Sequence, residues 1–222
     1  MDTIIIKIYG NFKTGDRSNF LPELIKRTYK ELSPTERSST RHYLRKFKLE
    51  PKQQDEYIPR VEIFEALTED RKDLRYTLKI EFSAPKLLYW NSLQEVGEND
   101  KERIISALKS ALERVSIFVE ADTIANALVS TVHACKNIPL PKIIRMREII
   151  NELAKVDISK VFDVADKQDK KGARVLNIYA GTTDWSFYDK ISDCLRPKNN
   201  RNDTSHIAHE RSVIARYNLQ GR

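Results

Sequence analysis

Residues 75–83, RYTLKIEFS, alternate polar and apolar side chains without interruption. Because successive side chains of a strand point to opposite faces, this pattern predicts a strand with one face in the core and one polar face. Glu81 falls on the polar face. Residues 61–67 predict the partner strand, with TEDRKD as the hairpin loop. The core side of the later strand consists of Tyr76, Leu78, Ile80 and Phe82.

Two further segments predict strands that would join this hairpin. Residues 3–9 are short and rich in β-branched side chains, and Gly10 follows them, which indicates a buried strand. Residues 126–138 predict a strand that places Thr131 and His133 on the same face.

Three segments have apolar residues at helical spacing. Residues 20–32 are the first, and residues 142–153 form an amphipathic helix. Residues 100–118 predict a long helix, because Asn99 can cap it with Glu102 in the capping-box position. The apolar stripe of this long helix belongs in the core.

The remaining segments are polar. We expect a basic insertion at residues 33–60, a charged loop at 166–172 and a mobile basic segment at 196–211. A last strand at 212–220 would place Ile214 outward. The sequence has no internal repeat, so we predict one α+β domain over residues 1–222, with a mostly antiparallel central sheet flanked by helices.

Charge and cysteine content narrow the functional classes. The chain carries 39 basic and 32 acidic residues, a net charge of +7, which suits a polyanion such as nucleic acid. Cys135 and Cys194 lack the spacing of a zinc module and are typical of reduced thiols in a cytosol. No apolar run approaches the length of a membrane span. We therefore expect a cytoplasmic protein with no membrane partner.

Residues 175–193, VLNIYAGTTDWSFYDKISD, predict a strand, a glycine turn and a second strand. Tyr188 falls on the polar face of the second strand, two residues before Lys190. A lysine close to a phenol favours the phenolate, so Tyr188 is a candidate nucleophile for DNA phosphodiester transfer. The alternative is an ordinary half-buried tyrosine, since strands are enriched in this residue.

Glu81 and His133 are candidate metal ligands. A carboxylate suits Mg²⁺, and a carboxylate with an imidazole suits Mn²⁺, so we expect a divalent cation that polarises the scissile phosphate. Each residue also has an ordinary interpretation: His133 as a hydrogen-bonded structural histidine, and Glu81 as a solvated acid.

The order of these segments resembles the rolling-circle replication initiators of the plasmid Rep and filamentous-phage gene II type, which are related in function to the HUH endonucleases. LKIEFSAPKL at 78–87 is similar to the family's R-I-E-F-x-x-x-K-L, and VSTVHACKN at 129–137 stands where the family has T-R-[IL]-D. Residues 188–193, YDKISD, resemble Y-[DN]-K-x-x-E. The similar segments span about residues 58–220.

The resemblance implies an HUH-like nuclease architecture and specific roles. Tyr188 matches the nicking tyrosine, Lys190 the motif lysine, and Asp193 its glutamate, while Glu81 matches the glutamate of the earlier strand. We assign Asp193, with Glu81 and His133, to the metal site. The implied partners are single-stranded origin DNA, a host helicase and a second copy in a homodimer.

The sequence departs from the family at several positions. His133 stands in place of the aspartate, Thr131 in place of the arginine, and the final SVIARYNL lacks the acid of R-[VF]-E, with Glu210 out of register. Such a site would bind metal weakly, use His133 as HUH enzymes do, or be inactive. The chain ends where such initiators carry more sequence, which suggests a compact version or a fragment.

We therefore predict a metal-dependent, tyrosine-type endonuclease that nicks and joins single-stranded origin DNA to start rolling-circle replication of a phage or plasmid. A mobilisation relaxase with the same chemistry, a catalytically silent DNA-binding protein and a basic structural phage protein are the alternatives. The predicted DNA contacts are Arg41, Arg45, Lys46, Arg196, Lys198 and Arg216.

Overall fold

The computed structural model describes residues 3–14, 29–31, 45–49, 57–67, 74–134, 136–138, 140–141, 144–156, 162–168, 174–180, 183–191 and 214. These residues form an α+β structure in which every described strand pair is antiparallel. They divide into two compact units, one up to Lys136 and one from Asn137 onward. That the chain acts as one initiator domain stays a prediction.

The first unit is built on a six-stranded sheet. Its strands are β1 (Thr3–Tyr9), β3 (Tyr29–Glu31), β4 (Arg45–Leu49), β5 (Arg60–Leu67), β6 (Leu74–Ser83) and β8 (Leu128–His133). They lie in the order β3-β4-β5-β6-β1-β8, so β1 pairs with β6 on one side and with the edge strand β8 on the other.

The hairpin of β5 and β6 is confirmed, with Ile63 opposite Leu78. One face of the sheet is apolar because the alternation of β6 places Leu78, Ile80 and Phe82 together in the buried core. Gly10, at φ +74°, ends β1 as predicted, in a backbone region that favours glycine.

Strand β8 is shorter than the predicted 126–138, and it lies at the edge of the sheet. Its register against β1 shifts between Ile5 and Ile6, which leaves Ser130 as an extra residue. The Ser130 hydroxyl donates to the Ile5 carbonyl at 3.3 Å. This bulge keeps Thr131 and His133 on the face of Ile5.

One prediction for the N-terminal third was wrong where the chain is described: Tyr29–Glu31 is strand β3 and not part of a helix, because its backbone pairs with β4. Arg45–Leu49 of the predicted basic insertion is strand β4, and Phe47, whose exposed fraction is 1%, anchors it in the core beside β5. That residues 33–60 are an insertion stays a prediction. The rest of 20–32 and most of 33–60 lie outside the described residues.

Short helices and a two-stranded sheet complete the first unit. They are α1 (Ala84–Tyr89), α2 (Lys101–Arg114), α3 (Ala121–Ala125), β2 (Lys13–Thr14) and β7 (Ile117–Phe118). Helix α1 begins directly after β6, and Pro85 is tolerated there because it lies in the first turn. Helix α2 is the long predicted helix, and it ends at Arg114, earlier than expected.

The start of α2 differs from the predicted capping box. A 3-10 turn, Glu98–Asp100, precedes the helix, and Asp100 is the residue at its N-terminal boundary. The Asp100 carboxylate accepts the Gly97 N–H at 2.9 Å, so it stabilises the turn and not the helix terminus.

The second unit contains helix α4 (Met146–Leu153) and a three-stranded sheet with the order β11-β10-β9. The strands are β9 (Asp163–Gln168), β10 (Arg174–Ala180) and β11 (Thr183–Tyr188). Helix α4 packs on β10 and β11, and Ile150 and Leu176 are both buried. The predicted pair of strands is confirmed by the antiparallel pairing of β10 with β11, but the second strand ends at Tyr188 and does not continue to residue 193 as predicted.

Two predictions in this unit were wrong. Residues 166–168 belong to β9 and not to a loop, because their backbone pairs with β10. Ile214 has a helical conformation and is fully buried, whereas we expected it to point outward from a strand. The rest of 196–222 lies outside the described residues. Across the described residues, no helix combines the length and apolar composition needed to span a membrane.

Candidate functional site

Tyr188 and Lys190 lie close together in the second unit. The Lys190 ammonium lies 3.4 Å from the Tyr188 hydroxyl and can donate a hydrogen bond to it. The same ammonium lies 5.7 Å from the centre of the tyrosine ring. Tyr188 is half-buried, so its hydroxyl is not sealed in the core.

This proximity arises differently from our prediction. Strand β11 ends at Tyr188, and Lys190 is in a helical conformation, so the two residues do not follow strand alternation. The helical turn brings the Lys190 side chain back toward the tyrosine. The sequence predicted the pair but not the backbone that forms it.

The sheet face that carries Tyr188 is polar. Tyr188 lies opposite Val175, and Ser186 lies opposite Asn177. The Ser186 hydroxyl donates to the Asn177 amide oxygen at 2.7 Å, two residues along the strand from Tyr188. The opposite face carries Leu176 and Phe187. A phenol on this polar face has access to polar ligands.

Glu81 and His133 share one face of the sheet in the first unit. Ile5 of β1 lies between Glu81 and Thr131, and Thr3 lies between Ser83 and His133. Directly opposed residues of antiparallel strands point to the same face. With Glu81 and His133 two strands apart and offset by two residues, strand geometry separates their Cα atoms by about 12 Å.

Glu81 already has a partner in the sheet. Arg60, directly opposite in β5, donates to the Glu81 carboxylate at 3.0 Å. Arg60 was not among the predicted site residues, and the signal for it was its position just before the predicted strand. His133 is exposed at the edge strand.

The residues that the structure describes form no group of three or more His, Cys, Asp or Glu side chains able to hold a metal ion. Within the first unit, Glu81 and His133 supply two donors of the right chemistry for Mn²⁺. One ion could contact both only if the two side chains extended toward each other across Ile5. The described residues therefore supply only part of a metal site.

The predicted site is divided between the two units. Glu81 and His133 belong to the first, and Tyr188 and Lys190 to the second. Asp193 lies outside the described residues. That the phenol meets the acid and the imidazole stays a prediction.

The predicted DNA-contacting residues are only partly described. Arg45 and Lys46 are strand residues of β4, with backbones opposite Glu65 and Phe64. Arg41, Arg196, Lys198 and Arg216 lie outside the described residues. Contact of any of these residues with DNA stays a prediction.

A polar cluster around Asp100 has a structural role. The Asp100 carboxylate accepts the Gly97 N–H and the Tyr89 hydroxyl, each at 2.9 Å, and pairs with Arg103. The Gly97 bond, the Tyr89 bond and the Arg103 charge hold the pKa of Asp100 below its ordinary value. The cluster also raises the pKa of Arg103, first through Tyr89. It links α1 to the start of α2.

No protein-family model, no curated protein and no solved structure matches this chain. Membership in the replication-initiator family stays a prediction.

Proposed function

We propose that this protein is a tyrosine-type nuclease of HUH-like architecture that nicks and rejoins single-stranded origin DNA to start rolling-circle replication. The observation that carries the proposal is the 3.4 Å separation between the Lys190 ammonium and the Tyr188 hydroxyl. A cation beside a half-exposed phenol is the arrangement that a tyrosine nucleophile needs.

In the proposed reaction, the Tyr188 oxygen attacks a backbone phosphorus. A bond forms between that oxygen and phosphorus, and the bond from phosphorus to the 3′ oxygen breaks. The phenol proton leaves to solvent, and the departing 3′ oxygen takes up a proton. The product is a 5′-phosphotyrosyl protein and a free 3′-hydroxyl, and the reverse attack rejoins the strand.

Lys190 has two tasks in this scheme. Its ammonium stabilises negative charge on the Tyr188 oxygen before attack, and it donates to a phosphate oxygen as charge develops. Both tasks need the ammonium within hydrogen-bond reach of the reacting atoms, which the helical turn after β11 supports.

Glu81 and His133 would hold a divalent cation, Mg²⁺ or Mn²⁺, with Asp193 as the third ligand. When bound, such a cation supplies Lewis-acid polarisation of the phosphate. Arg60 positions the Glu81 carboxylate by pairing with it from β5. His133, at the open edge of the sheet, is accessible to a DNA phosphate from solvent.

The proposal places the protein in the cytoplasm of a host cell, with origin DNA and a host helicase as partners and a homodimer as a working assembly. Net charge of +7 supports a polyanionic partner. A mobilisation relaxase would use the same residues; loss of plasmid transfer without loss of replication, on deletion of the coding sequence, would identify it.

The test is a covalent adduct. The protein is incubated with Mn²⁺ and a supercoiled plasmid that carries the DNA flanking its coding sequence, then denatured in detergent. The parent should nick the plasmid and retain a 5′-phosphotyrosyl adduct, and Tyr188→Phe should lose both while still binding DNA. Tyr179→Phe is the matched control, because Tyr179 is a tyrosine of the same sheet, 38% exposed. Nicking by Tyr188→Phe at the parent rate would refute the proposal.

A catalytically silent DNA-binding protein is the second candidate. The 3.0 Å ion pair between Arg60 and Glu81 favours it, because a carboxylate that neutralises a guanidinium is a weaker metal ligand. Under this alternative the parent binds single-stranded DNA but forms no adduct with Mg²⁺ or Mn²⁺. The same experiment therefore separates the two candidates.

A further inference from the structure

A cleft of about 440 Å³ opens in the first unit between the end of β1 and helix α3. Its polar lining comprises Lys7, Tyr9, Asn11, Asp122, Thr123 and Asn126. This volume is within the range of small-ligand sites. The cleft is distinct from the Glu81 and His133 positions, and neither the sequence motifs nor the proposed chemistry uses it.

Tyr9 is one of the residues that line this cleft. Its exposed fraction is 43%, large for an aromatic side chain. The Arg75 guanidinium lies 4.9 Å from the ring centre and holds the ring from one side. An exposed ring fixed in this way can stack with a flat partner such as a nucleobase, and stacking of this kind tolerates any base.

Lys7 offers an available positive charge beside the ring. It lies directly opposite Lys79 of β6, and like charges at such positions repel each other. The Lys79 ammonium is paired with Glu62 at 3.2 Å, while Lys7 has no ion-pair partner within the described part of the chain. Lys7 is therefore the member of this pair whose charge is left for an anion bound in the cleft.

The opposite wall of the cleft supplies polar groups for a base edge. The Asn126 amide nitrogen donates to the Asp122 carbonyl at 2.8 Å, which leaves the amide oxygen as an acceptor. The exposed Asp122 carboxylate is a second acceptor. Its negative charge also disfavours a polyphosphate, so the wall suits a ligand with one phosphate charge.

We propose that this cleft binds one nucleotide of single-stranded DNA, with the base stacked on Tyr9 and the phosphate held by Lys7. The assignment of DNA as the ligand rests on the proposed function, whereas the cleft, the ring and the available charge do not.

The cleft lies at one end of a line of residues that leads to the candidate metal ligands. Alternate residues of β1 point to one face, so Thr3, Ile5, Lys7 and Tyr9 form a line along this strand. Glu81 and His133 flank this line near Ile5 and Thr3. A DNA strand held at Tyr9 would therefore run along β1 toward them. The cleft positions the strand, and its residues are not catalytic.

The test is fluorescence anisotropy with a labelled, short oligodeoxythymidine at several salt concentrations. Tyr9→Leu should weaken binding about tenfold, because base stacking is lost. Tyr9→Phe keeps the ring and should bind within about twofold of the parent. Lys7→Gln should weaken binding and lower the slope of log affinity against log salt by about 0.7, the value for one phosphate contact to a single strand.

The controls are Tyr179→Leu, at an exposed tyrosine of the second unit, and Lys101→Gln, at the exposed first residue of α2. Both should bind as the parent does. Circular dichroism establishes that each variant is folded. If Tyr9→Leu does not fold, the two single variants Tyr9→Phe and Lys7→Gln still test whether the cleft binds DNA. Parent-like binding by Lys7→Gln and Tyr9→Leu, or no binding by the parent, overturns the inference.

The outcomes separate this inference from the proposed function. If the parent forms the phosphotyrosyl adduct but binding does not depend on Tyr9 and Lys7, the cleft assignment alone fails. If binding depends on Tyr9 and Lys7 but no adduct forms, the nuclease alone fails and a single-strand-binding protein remains.

Discussion

The Tyr57 hydroxyl accepts a hydrogen bond of 2.7 Å from the backbone N–H of Ser83, 26 residues further along the chain. Both residues are buried. The bond ties the segment before β5 to the last residue of β6, two positions beyond Glu81. The candidate metal ligand is thus held on a strand whose end is fixed from outside the sheet.

Tyr57→Phe should lower the free energy of unfolding by about 1–3 kcal/mol, because the substitution leaves the buried Ser83 N–H without this acceptor. Urea unfolding followed by circular dichroism measures the difference. Tyr179→Phe removes a hydroxyl from an exposed tyrosine and should change the value by less than about 0.5 kcal/mol. Equal effects of the two substitutions would show that the Tyr57 bond is not stabilising.

Leu78→Ala should lower the free energy of unfolding by about 2–5 kcal/mol, because Leu78 is 0% exposed and its removal leaves a cavity in the core. Leu74, in the same strand, is 47% exposed and provides the matched control. Leu74→Ala should cost less than about 0.5 kcal/mol in the same urea experiment. A small loss for Leu78→Ala would contradict the position of the core.

Asp100→Asn should lower the urea midpoint at neutral pH. The pKa of Asp100 is lowered from its ordinary 3.8, first by the Gly97 N–H, so its ionised form stabilises the fold. A lowered pKa contributes stability above 3.8 that is lost as the pH falls through the folded-state value. The difference between parent and variant should therefore shrink in acid.

The control for Asp100→Asn is Glu98→Gln, because Glu98 is an exposed acid of the same 3-10 turn. Its urea midpoint should follow that of the parent from neutral pH into acid. A difference between parent and Asp100→Asn that is constant across this range would show that the carboxylate charge is not what stabilises the turn.

Lys190→Gln should slow formation of the phosphotyrosyl adduct about ten- to a hundredfold, because a charge-assisted hydrogen bond to the reacting oxygen is lost. Single-turnover quenching in detergent gives the rate. Lys155→Gln is the control, since Lys155 is an exposed lysine of the second unit that pairs with Glu152. Equal rates for Lys190→Gln and the parent would remove Lys190 from the proposed chemistry.

Glu81→Gln should raise the Mn²⁺ concentration needed for half-maximal nicking at least about tenfold, because a charged ligand is lost. Glu62 lies on the same face and pairs with Lys79 across the same two strands, so Glu62→Gln is the matched control. If Glu81→Gln changes stability but not the Mn²⁺ requirement, the Arg60 ion pair is the whole role of Glu81.

Several parts of the fold were predictable because their patterns are local. The alternation in residues 75–83 and the hairpin before β6 required only the two-residue period of a strand. The proximity of Tyr188 and Lys190 was expected from strand alternation, but it arises with Lys190 in a helical conformation after the strand has ended. The cleft residues Lys7 and Tyr9 were missed, although both lie on the polar face of a correctly predicted strand.

Other parts depended on neighbours that a linear pattern does not contain. Phe47 stands among basic residues, and β4 forms because β5 provides the strand beside it and the core that Phe47 enters. Arg60 meets Glu81 only through the register of β5 against β6. Residues 166–168 form a strand because β10 pairs with them.

The sequence by itself determined which side chains share a strand face and where the α2 and α4 helices lie, since these follow from short-range periodicity. The tertiary structure decided the order of the strands and the partner of Glu81. Both depend on hydrogen bonds and packing between segments distant along the chain, and these interactions stabilise the fold only when the distant segment is in place.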